Sequence, residues 1–181
     1  SNKLLINESV LAGSKVKMIA EAATGYNNID VNYCREQGIR VANVAGYSTE
    51  SVAQHTFALC LYVLEKLHHY DHYVKDGAYA AQDRFSNFDI PYVELAGKTW
   101  GIIGMGNIGM KVAGIAEAFG MKVCYHSTSG TGHCTEYPCL SLEELLKTSD
   151  IVSIHAPLNG DTEGLMNKEA FNKMKANAIF L

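Results

Sequence analysis

The chain has 181 residues, and 15 lysines and arginines against 19 aspartates and glutamates give a formal net charge of −4 at pH 7 with histidine neutral. Hydrophobic residues make up 48% of the chain and charged residues 19%, which is typical of a globular protein and excludes a disordered or fibrous one. The apolar runs are far shorter than the roughly 20 residues of a membrane span. With no secretory signal pattern and no basic stripe, we expect neither a membrane nor a nucleic acid as partner.

The cysteines indicate a reducing compartment, so we expect a cytoplasmic protein. They are odd in number, form no Cys-x-x-Cys pair and belong to a chain large enough to fold without disulfides; they are Cys34, Cys60, Cys124, Cys134 and Cys139. A zinc site built from His126, His133, Cys134 and Cys139 is the alternative for two of them, but the spacing does not match a paired-cysteine knuckle. His68 and His72, one helical turn apart, have no obvious third ligand. We therefore predict no metal site.

The first part of the chain predicts one βαβ unit. Val16 to Ala22 forms an apolar run typical of a buried strand, followed by a polar turn. Asp30 is a suitable N-cap for a helix that ends at Gly38, and Ile39 to Ala42 is the next predicted strand. Alternating strands and helices predict an α/β fold with a parallel sheet.

A long helix and an aromatic arm follow. The helix is predicted from about Thr49 to Lys66 with Ser48 as its cap, and it is apolar on nearly every side, so we expect it to be buried. Residues 70–94 have no clear period and carry scattered aromatic residues. Exposed rings of this kind usually serve a subunit interface, so we predict a homodimer. The rings are those of Tyr73, Tyr79, Phe85, Phe88 and Tyr92.

A second and stronger βα series begins after Lys98. Its predicted strands are Trp100 to Ile103, Lys122 to Tyr125, Ile151 to Ile154 and Ala178 to Leu181. The predicted helices run from Asn107 to Phe119, from a capping box at Ser141 and Glu144, and from about Asn167 to Lys175.

The sharpest motif is the turn Gly104-Met105-Gly106-Asn107-Ile108-Gly109, which leaves a predicted strand and opens a predicted helix. That context is the one the dinucleotide fingerprint requires. Gly104 allows the tight turn, Gly106 lets the backbone approach a pyrophosphate, and Gly109 lets the helix pack close to the strand. The N–H groups of Asn107 and Ile108 would then hold the diphosphate.

The acidic residue expected about 20 residues further on, where it would bind the adenosine ribose, is missing. Ser127 stands there, followed by Thr128 and Ser129. The absence of a carboxylate removes a bias against NADP, and no arginine lies between Ser127 and Cys139 to select its phosphate. The sequence therefore predicts NAD or NADP as cofactor, with a preference for NAD.

Several stretches together resemble the D-isomer-specific 2-hydroxyacid dehydrogenases, and within them the glycerate dehydrogenase or hydroxypyruvate reductase branch. The resemblance covers nearly the whole chain and is carried by residues 22–30, residues 44–55, the glycine-rich turn and His155-Ala156-Pro157-Leu158 with Thr162. It implies a Rossmann-like doubly wound parallel sheet for the cofactor domain, plus part of a smaller flavodoxin-like substrate domain. The expected domains are residues 1–46 and 47–181, with the dimerisation arm at about 70–94.

The resemblance also implies site residues. The backbone at Thr24 and Gly25, together with Lys3, would bind the substrate carboxylate. The remaining residues would bind the cofactor, and they are Gly104, Gly106, Asn107, Ile108, Gly109, Ser127, Thr128, Ser129, His155, Ala156, Pro157, Thr162 and Ser48.

In such enzymes an arginine after the last strand binds the keto acid, and a later histidine supported by a glutamate transfers the proton. The sequence ends before those positions, and His155 and His55 do not correspond to that histidine, so we expect no catalytic residue and no catalysis in this chain by itself. The resemblance implies hydride transfer between a nicotinamide cofactor and a small 2-hydroxy or 2-keto acid such as glycerate. The alternative is a non-catalytic NAD(H)-binding regulatory module of the same fold. A third class, another enzyme with a Rossmann-like domain such as a methyltransferase, would not account for the sequence of residues 24–30 and 46–55.

Overall fold

A computed structural model describes residues 4–181. The chain divides into two compact units, one running to Thr49 and including Pro157–Leu165, the other comprising Glu50–Ala156 and Met166–Leu181. The division at Thr49 lies close to the boundary expected at Gly46, whereas the return of residues 157–165 to the first unit differs from the expected division. Each unit is described by itself below.

The first unit is a small βαβ arrangement. Its two strands are parallel, with Met18 opposite Arg40 and Glu21 opposite Asn43. The helix between them begins where the Asp30 carboxylate accepts the Tyr33 N–H (2.9 Å) and ends in a Schellman motif around Gly38 (φ 68°). The elements are α1 (Glu8–Leu11), β1 (Met18–Glu21), α2 (Val31–Glu36) and β2 (Arg40–Asn43).

The prediction of a fully buried strand at residues 16–22 was wrong. The strand is shorter, and its residues alternate between exposed and half-buried, with Met18 56% exposed. Only the side that carries Ile19 packs on the core of Leu11, Cys34 and Ile39, so the strand is covered on one face.

The second unit contains a parallel sheet of four strands in the order β4-β3-β5-β6. The strands are β3 (Thr99–Ile103), β4 (Lys122–His126), β5 (Ile151–Ile154) and β6 (Ile179–Phe180). The helices are α3 (Thr49–Leu64), α4 (Leu67–Lys75), α5 (Ala78–Ala81), α6 (Asn107–Ala118), α7 (Leu142–Thr148) and α8 (Lys168–Lys173).

Helices cover both faces of this sheet, which confirms the doubly wound α/β class. Trp100 and Ile102 belong to one core cluster with Phe57 of α3 and Val112 of α6. The centroids of the Phe57 and Trp100 rings are 4.6 Å apart. Gly101 faces the opposite layer: a Cβ placed there would lie 2.6 Å from the Leu145 side chain of α7. Successive residues of β3 therefore serve opposite layers.

Helix α3 is the longest helix of the described residues, but it is buried along one side only. Ala53, Thr56, Phe57 and Cys60 are buried at helical spacing. Leu59, Tyr62 and Val63 on other sides are 46–48% exposed. The expectation of burial on nearly every side was wrong, because the sheet covers a single stripe of the helix.

The arm at residues 70–94 is not irregular throughout, as the missing period had suggested. Its first part continues α4 and then forms α5, and irregular backbone follows from Gln82. The Lys75–Asp71 ion pair (2.8 Å) and the His72–Asp76 contact (2.9 Å) each join residues one helical turn apart. None of the helices within residues 4–181 is both long and apolar enough to cross a membrane.

Candidate functional site

The glycine-rich turn joins β3 to α6 at the carboxyl end of the parallel sheet. Its first N–H, that of Gly104, donates to the His126 carbonyl at the end of β4 (3.0 Å), and the Met110 N–H closes the first turn of α6 on Gly106 (2.9 Å). The turn is therefore fixed beside the ends of two strands. Ligands of open α/β sheets bind at such an edge.

Two of the glycines are required by the fold itself. Gly104 has φ +93°, and a Cβ there would lie 2.9 Å from the Ala156 backbone nitrogen. A Cβ on Gly109 would collide with the Gly104 carbonyl oxygen. Both contacts are with backbone atoms, whose displacement would distort the fold. These glycines therefore let β3, α6 and the segment after β5 approach one another closely.

Gly106 differs from its neighbours, because a Cβ there would meet no atom within 4 Å. It is the N-cap of α6, and no side chain caps that helix. The first N–H groups of a helix have no partner inside the helix and carry the positive end of its dipole. The open space above Gly106 and the uncapped N–H groups of Asn107 and Ile108 fit an anionic group such as a diphosphate.

The loop after β4 gathers hydroxyl groups around an imidazole. Ser127 Oγ donates to the Thr131 carbonyl (2.7 Å) and lies 3.2 Å from Ser129 Oγ. His133 Nε2 lies 3.0 Å from Ser129 Oγ and 3.3 Å from Thr131 Oγ1. Thr128 is half-buried between the two serines. This loop follows His126 directly and so lies next to the glycine-rich turn.

A buried chain of hydrogen bonds ends at His155, one residue beyond β5. The Trp100 indole N–H donates to Ser153 Oγ (2.8 Å), and Ser153 Oγ lies 3.0 Å from His155 Nε2. Trp100 and Ser153 are fully buried. Because the indole is only a donor, the serine hydroxyl is free to donate to His155 Nε2, which favours the Nδ1–H tautomer.

Burial lowers the pKa of His155 from its ordinary value of 6.5 to about 4. The imidazole is therefore neutral at pH 7 and is a poor proton donor at that pH.

Pro157 and Thr162 lie in the segment that belongs to the first unit. The Thr162 side chain is buried, donates to the Pro157 carbonyl and accepts the Asn159 N–H (2.9 Å). Its hydroxyl holds the turn of residues 157–162 together.

The residues expected to bind substrate lie in the first unit. Thr24 Oγ1 donates to the Val44 carbonyl (3.2 Å), and the Thr24 carbonyl accepts from Asn43 (2.7 Å). The exposed backbone N–H of Gly25 has no hydrogen-bond partner among residues 4–181. Lys3 lies outside the described residues, and Ser48 is half-buried just before α3.

The candidate zinc ligands are not arranged around a common point. Within residues 4–181, no three His, Cys, Asp or Glu side chains form a metal-binding group. His126 Nδ1 contacts the Leu140 carbonyl (3.0 Å), and His133 contacts hydroxyl groups. All the cysteines are free thiols.

The comparisons with known proteins agree with this geometry. The family model described as "D-isomer specific 2-hydroxyacid dehydrogenase, NAD binding domain" matches residues 57–181. The chain belongs to this family. A hydroxypyruvate reductase of Blautia hydrogenotrophica is 39% identical over 168 residues, which are 92% of this chain and 52% of that protein. The chain thus spans about half the length of the curated relatives it matches.

Two solved structures resemble the chain closely. An acyclic imino acid reductase in complex with NADPH and D-Arg has a TM-score of 0.87 and 34% identity, covering 97% of this chain and 55% of that one. D-Lactate dehydrogenase from Aquifex aeolicus, complexed with NAD and lactic acid, has a TM-score of 0.84 and 36% identity, covering 97% of this chain and 52% of that one. The second unit is therefore a Rossmann-like NAD-binding domain of the dehydrogenase family.

Sequence reasoning missed two parts of this site. Trp100 and Ser153 belong to no sequence motif, and the hydrogen bond between them joins residues 53 positions apart. Thr131 had no assigned role, and His133 was considered only as a metal ligand. The density of hydroxyl residues from Ser127 to Thr131 was the available signal for the second group.

Proposed function

We propose that this chain provides the coenzyme platform of a dehydrogenase acting on small D-2-hydroxy acids, with glycerate and hydroxypyruvate as the nearest substrate class. The observation that carries the proposal is the uncapped N-terminus of α6 beneath the open space at Gly106, at the carboxyl edge of a doubly wound sheet. Family membership supports it, as does the hydroxypyruvate reductase among the relatives.

The proposed roles of residues in the second unit follow from their position along the edge of its sheet. The N–H groups of Asn107 and Ile108 bind the pyrophosphate, with Gly104, Gly106 and Gly109 allowing the approach. The loop of Ser127, Thr128 and Ser129 binds the adenosine ribose. His155 and Ala156 of the second unit are the proposed contacts on the nicotinamide side. For Pro157, Thr162 and Ser48, which belong to the first unit, a role in cofactor binding is proposed from family membership.

A bound oxidised nicotinamide would accept the hydride from C2 of the hydroxy acid while the hydroxyl proton passes to a base, and the reduced form would return the hydride to the keto acid. The low pKa of His155 argues against that residue as the base or acid, so we assign no catalytic residue to this chain. The free N–H of Gly25 and its neighbour Thr24 are the proposed contacts of the substrate carboxylate.

The regulatory alternative, a non-catalytic NAD(H)-binding module, is not favoured. The relatives and solved structures that match the chain carry the names of reductases and dehydrogenases. The domain assignment we propose is a partial substrate domain at residues 1–46 and an NAD(P)-binding domain at 47–181.

We further propose a homodimer and a cytoplasmic location. The homodimer is supported by Phe85 and Phe88, which are 88% and 75% exposed on the arm. The location is supported by the free thiols, including the exposed Cys139. Light scattering tests the first proposal, and fractionation of cells tests the second.

Titration with NADH, followed by nicotinamide fluorescence, tests the proposed function. The chain is expected to bind NADH, and Gly106→Val is expected to weaken binding at least about tenfold, because the new side chain fills the space that a pyrophosphate needs. Gly114→Val is the matched control, since Gly114 lies exposed on the same helix with no atom near its Cβ position. An unchanged NADH affinity in Gly106→Val would contradict the proposal.

A further inference from the structure

The second unit contains a cavity of about 200 Å³ that takes no part in the proposed function. Three of the residues that line it, Lys98, Asp150 and Asn177, stand just before β3, β5 and β6. The cavity therefore lies at the amino ends of these strands, whereas the glycine-rich turn lies at their carboxyl ends, which is the edge that binds the ligands of open α/β sheets. We call this space the amino-edge cavity.

The inner part of the amino-edge cavity is apolar. Leu95 and Ile151, which are 7% and 2% exposed, line it and belong to the core cluster of the second unit. Leu64 and Ile179 also line it and pack against the same cluster. Because a cavity of about 150 Å³ holds one benzene molecule, a branched aliphatic or single-ring group fits here, whereas a nucleotide is too large.

Charged groups of both signs line the rest of the amino-edge cavity. Lys66, Glu94 and Lys98 line it and form no ion pair and no side-chain hydrogen bond with another of residues 4–181. The Asp150 carboxylate differs, because its two oxygens accept from Lys175 Nζ (2.8 Å) and from the N–H that begins β3 (2.9 Å). Two ammonium groups and one carboxylate therefore stay available to a ligand.

A tight turn brings the available carboxylate close to one of these lysines. The Lys98 N–H donates to the Leu95 carbonyl (3.0 Å), and Gly97 has φ +75°, which is typical of a type II turn. Glu94 directly precedes this turn, so its backbone lies near that of Lys98. Lys66 follows α3 and has φ +53°, the one positive value of a non-glycine residue within residues 4–181. Such a conformation is held in place by its surroundings and is frequent at ligand sites.

We propose that the amino-edge cavity binds a small α-amino acid with an apolar side chain of about the size of leucine. The α-carboxylate lies between the ammonium groups of Lys66 and Lys98, the α-ammonium group pairs with Glu94, and the side chain enters the apolar part. A zwitterion uses both signs of charge. A simple carboxylate would be repelled by Glu94, and a simple amine by the two lysines.

Calorimetric titration with L- or D-leucine tests the proposal in the wild-type chain. Leucine is expected to bind with a dissociation constant on the order of 0.1–1 mM, which suits a ligand of so few atoms. The comparison compounds are 4-methylpentanoate, which lacks the amino group, and 3-methylbutylamine, which lacks the carboxylate. Each is expected to bind at least about tenfold more weakly than leucine, because one of its charge contacts is missing.

Two variants assign the contacts to individual side chains. Lys98→Met keeps the length of the side chain and removes its charge, so it is expected to weaken leucine at least about tenfold. Lys122→Met, at an exposed position at the start of β4 on the same edge of the sheet, is the matched control and is expected to change nothing. Glu94→Gln is expected to weaken leucine and to strengthen 4-methylpentanoate, a reversal that a distorted cavity would not produce.

Methyl NMR locates the bound amino acid independently of affinity. Leucine is expected to shift the methyl resonances of Ile151 and Ile179, which line the cavity, and to leave those of Ile108 at the glycine-rich turn unchanged. Shifts at Ile108 without shifts at Ile151 would place the amino acid at the opposite edge and overturn the proposal. It is equally overturned by an absence of binding at about 20 mM leucine, by full affinity in Lys98→Met, or by 4-methylpentanoate binding as tightly as leucine. None of these measurements needs a dinucleotide, so their outcome is separate from that of the proposed function.

Discussion

Three glycines of one short turn serve different physical purposes. Gly104 and Gly109 are fixed by contacts of the folded chain, since a Cβ on either meets backbone atoms of Ala156 or of Gly104. Gly106 meets nothing within 4 Å. The fold requires the first two, and the proposed function assigns the third to a bound pyrophosphate.

This difference predicts that substitution destabilises the protein at Gly109 but not at Gly106. Gly109→Ala is expected to lower the free energy of unfolding by about 1–3 kcal/mol through overpacking, whereas Gly106→Ala is expected to leave it unchanged within about 0.5 kcal/mol. Urea unfolding followed by circular dichroism measures both. Equal losses in the two variants would show that Gly106 also has a structural role.

His155 predicts a pH dependence of stability. Burial lowers its folded pKa from 6.5 to about 4, so the folded state binds a proton less readily than the unfolded chain. Its contribution is therefore complete above pH 6.5 and is lost as the pH falls through that value toward 4. His155→Gln is expected to flatten this part of the stability curve.

Urea unfolding of His155→Gln and wild type at pH 7, 5.5 and 4.5 gives the difference between them. Wild type is expected to lose on the order of 1–3 kcal/mol more than the variant between the first and last of these. Asn32→Gln, at an exposed and uncharged position of α2, provides the comparison for the effect of a substitution by itself. If the free energy of unfolding of His155→Gln varied with pH in parallel with that of wild type, the lowered pKa of His155 would be contradicted.

Among the elements, α7 is defined by local signals. Ser141 Oγ accepts the Glu144 N–H (3.2 Å), and the Glu144 carboxylate accepts the Ser141 N–H (3.1 Å), which is a complete capping box. The Ser141 hydroxyl also donates to the Glu144 carboxylate (2.7 Å), and this bond together with the one from the Ser141 N–H lowers the pKa of Glu144. The helix then places Leu145 and Leu146, both fully buried, against the sheet.

Ser141→Ala is therefore expected to destabilise the protein by about 1 kcal/mol, because loss of the cap leaves the Glu144 N–H without its partner. Thermal unfolding is expected to shift downward by a few degrees. Ser86→Ala, in the irregular part of the arm, is the control and is expected to show no shift. A normal melting temperature for Ser141→Ala would mean that packing alone holds α7.

The elements predicted correctly are those whose signals lie within a few residues. The caps at Asp30 and Ser141 and the glycine-rich turn are of this kind. The exposed side of α3 depends on which elements cover it, and the hydrogen bond between Trp100 and Ser153 joins neighbouring strands far apart in sequence. Such features arise only when the sheet assembles, so sequence patterns did not predict them.

At the scale of the whole molecule, the arm presents its aromatic rings in two ways. The Tyr73 hydroxyl donates to Gln82 (2.7 Å), and the Tyr70 hydroxyl donates to the Ile90 carbonyl (3.4 Å), so these tyrosines fold the arm on itself. Phe85 and Phe88 are left 88% and 75% exposed. Large exposed rings are characteristic of association surfaces.

The double variant Phe85→Ser, Phe88→Ser is expected to convert the proposed dimer to a monomer. Burial of one phenylalanine contributes about 1.5–3 kcal/mol, so loss of two rings from each protomer is expected to raise the dissociation constant by at least about 100-fold. Sedimentation equilibrium measures it, with Val10→Ser, a 56% exposed site in the first unit, as the control. A wild-type chain that remains monomeric at high concentration while the arm resists proteolysis would refute the dimer. A dimer that survives the double variant would place its interface elsewhere, with the exposed side of α3 as the next surface to alter.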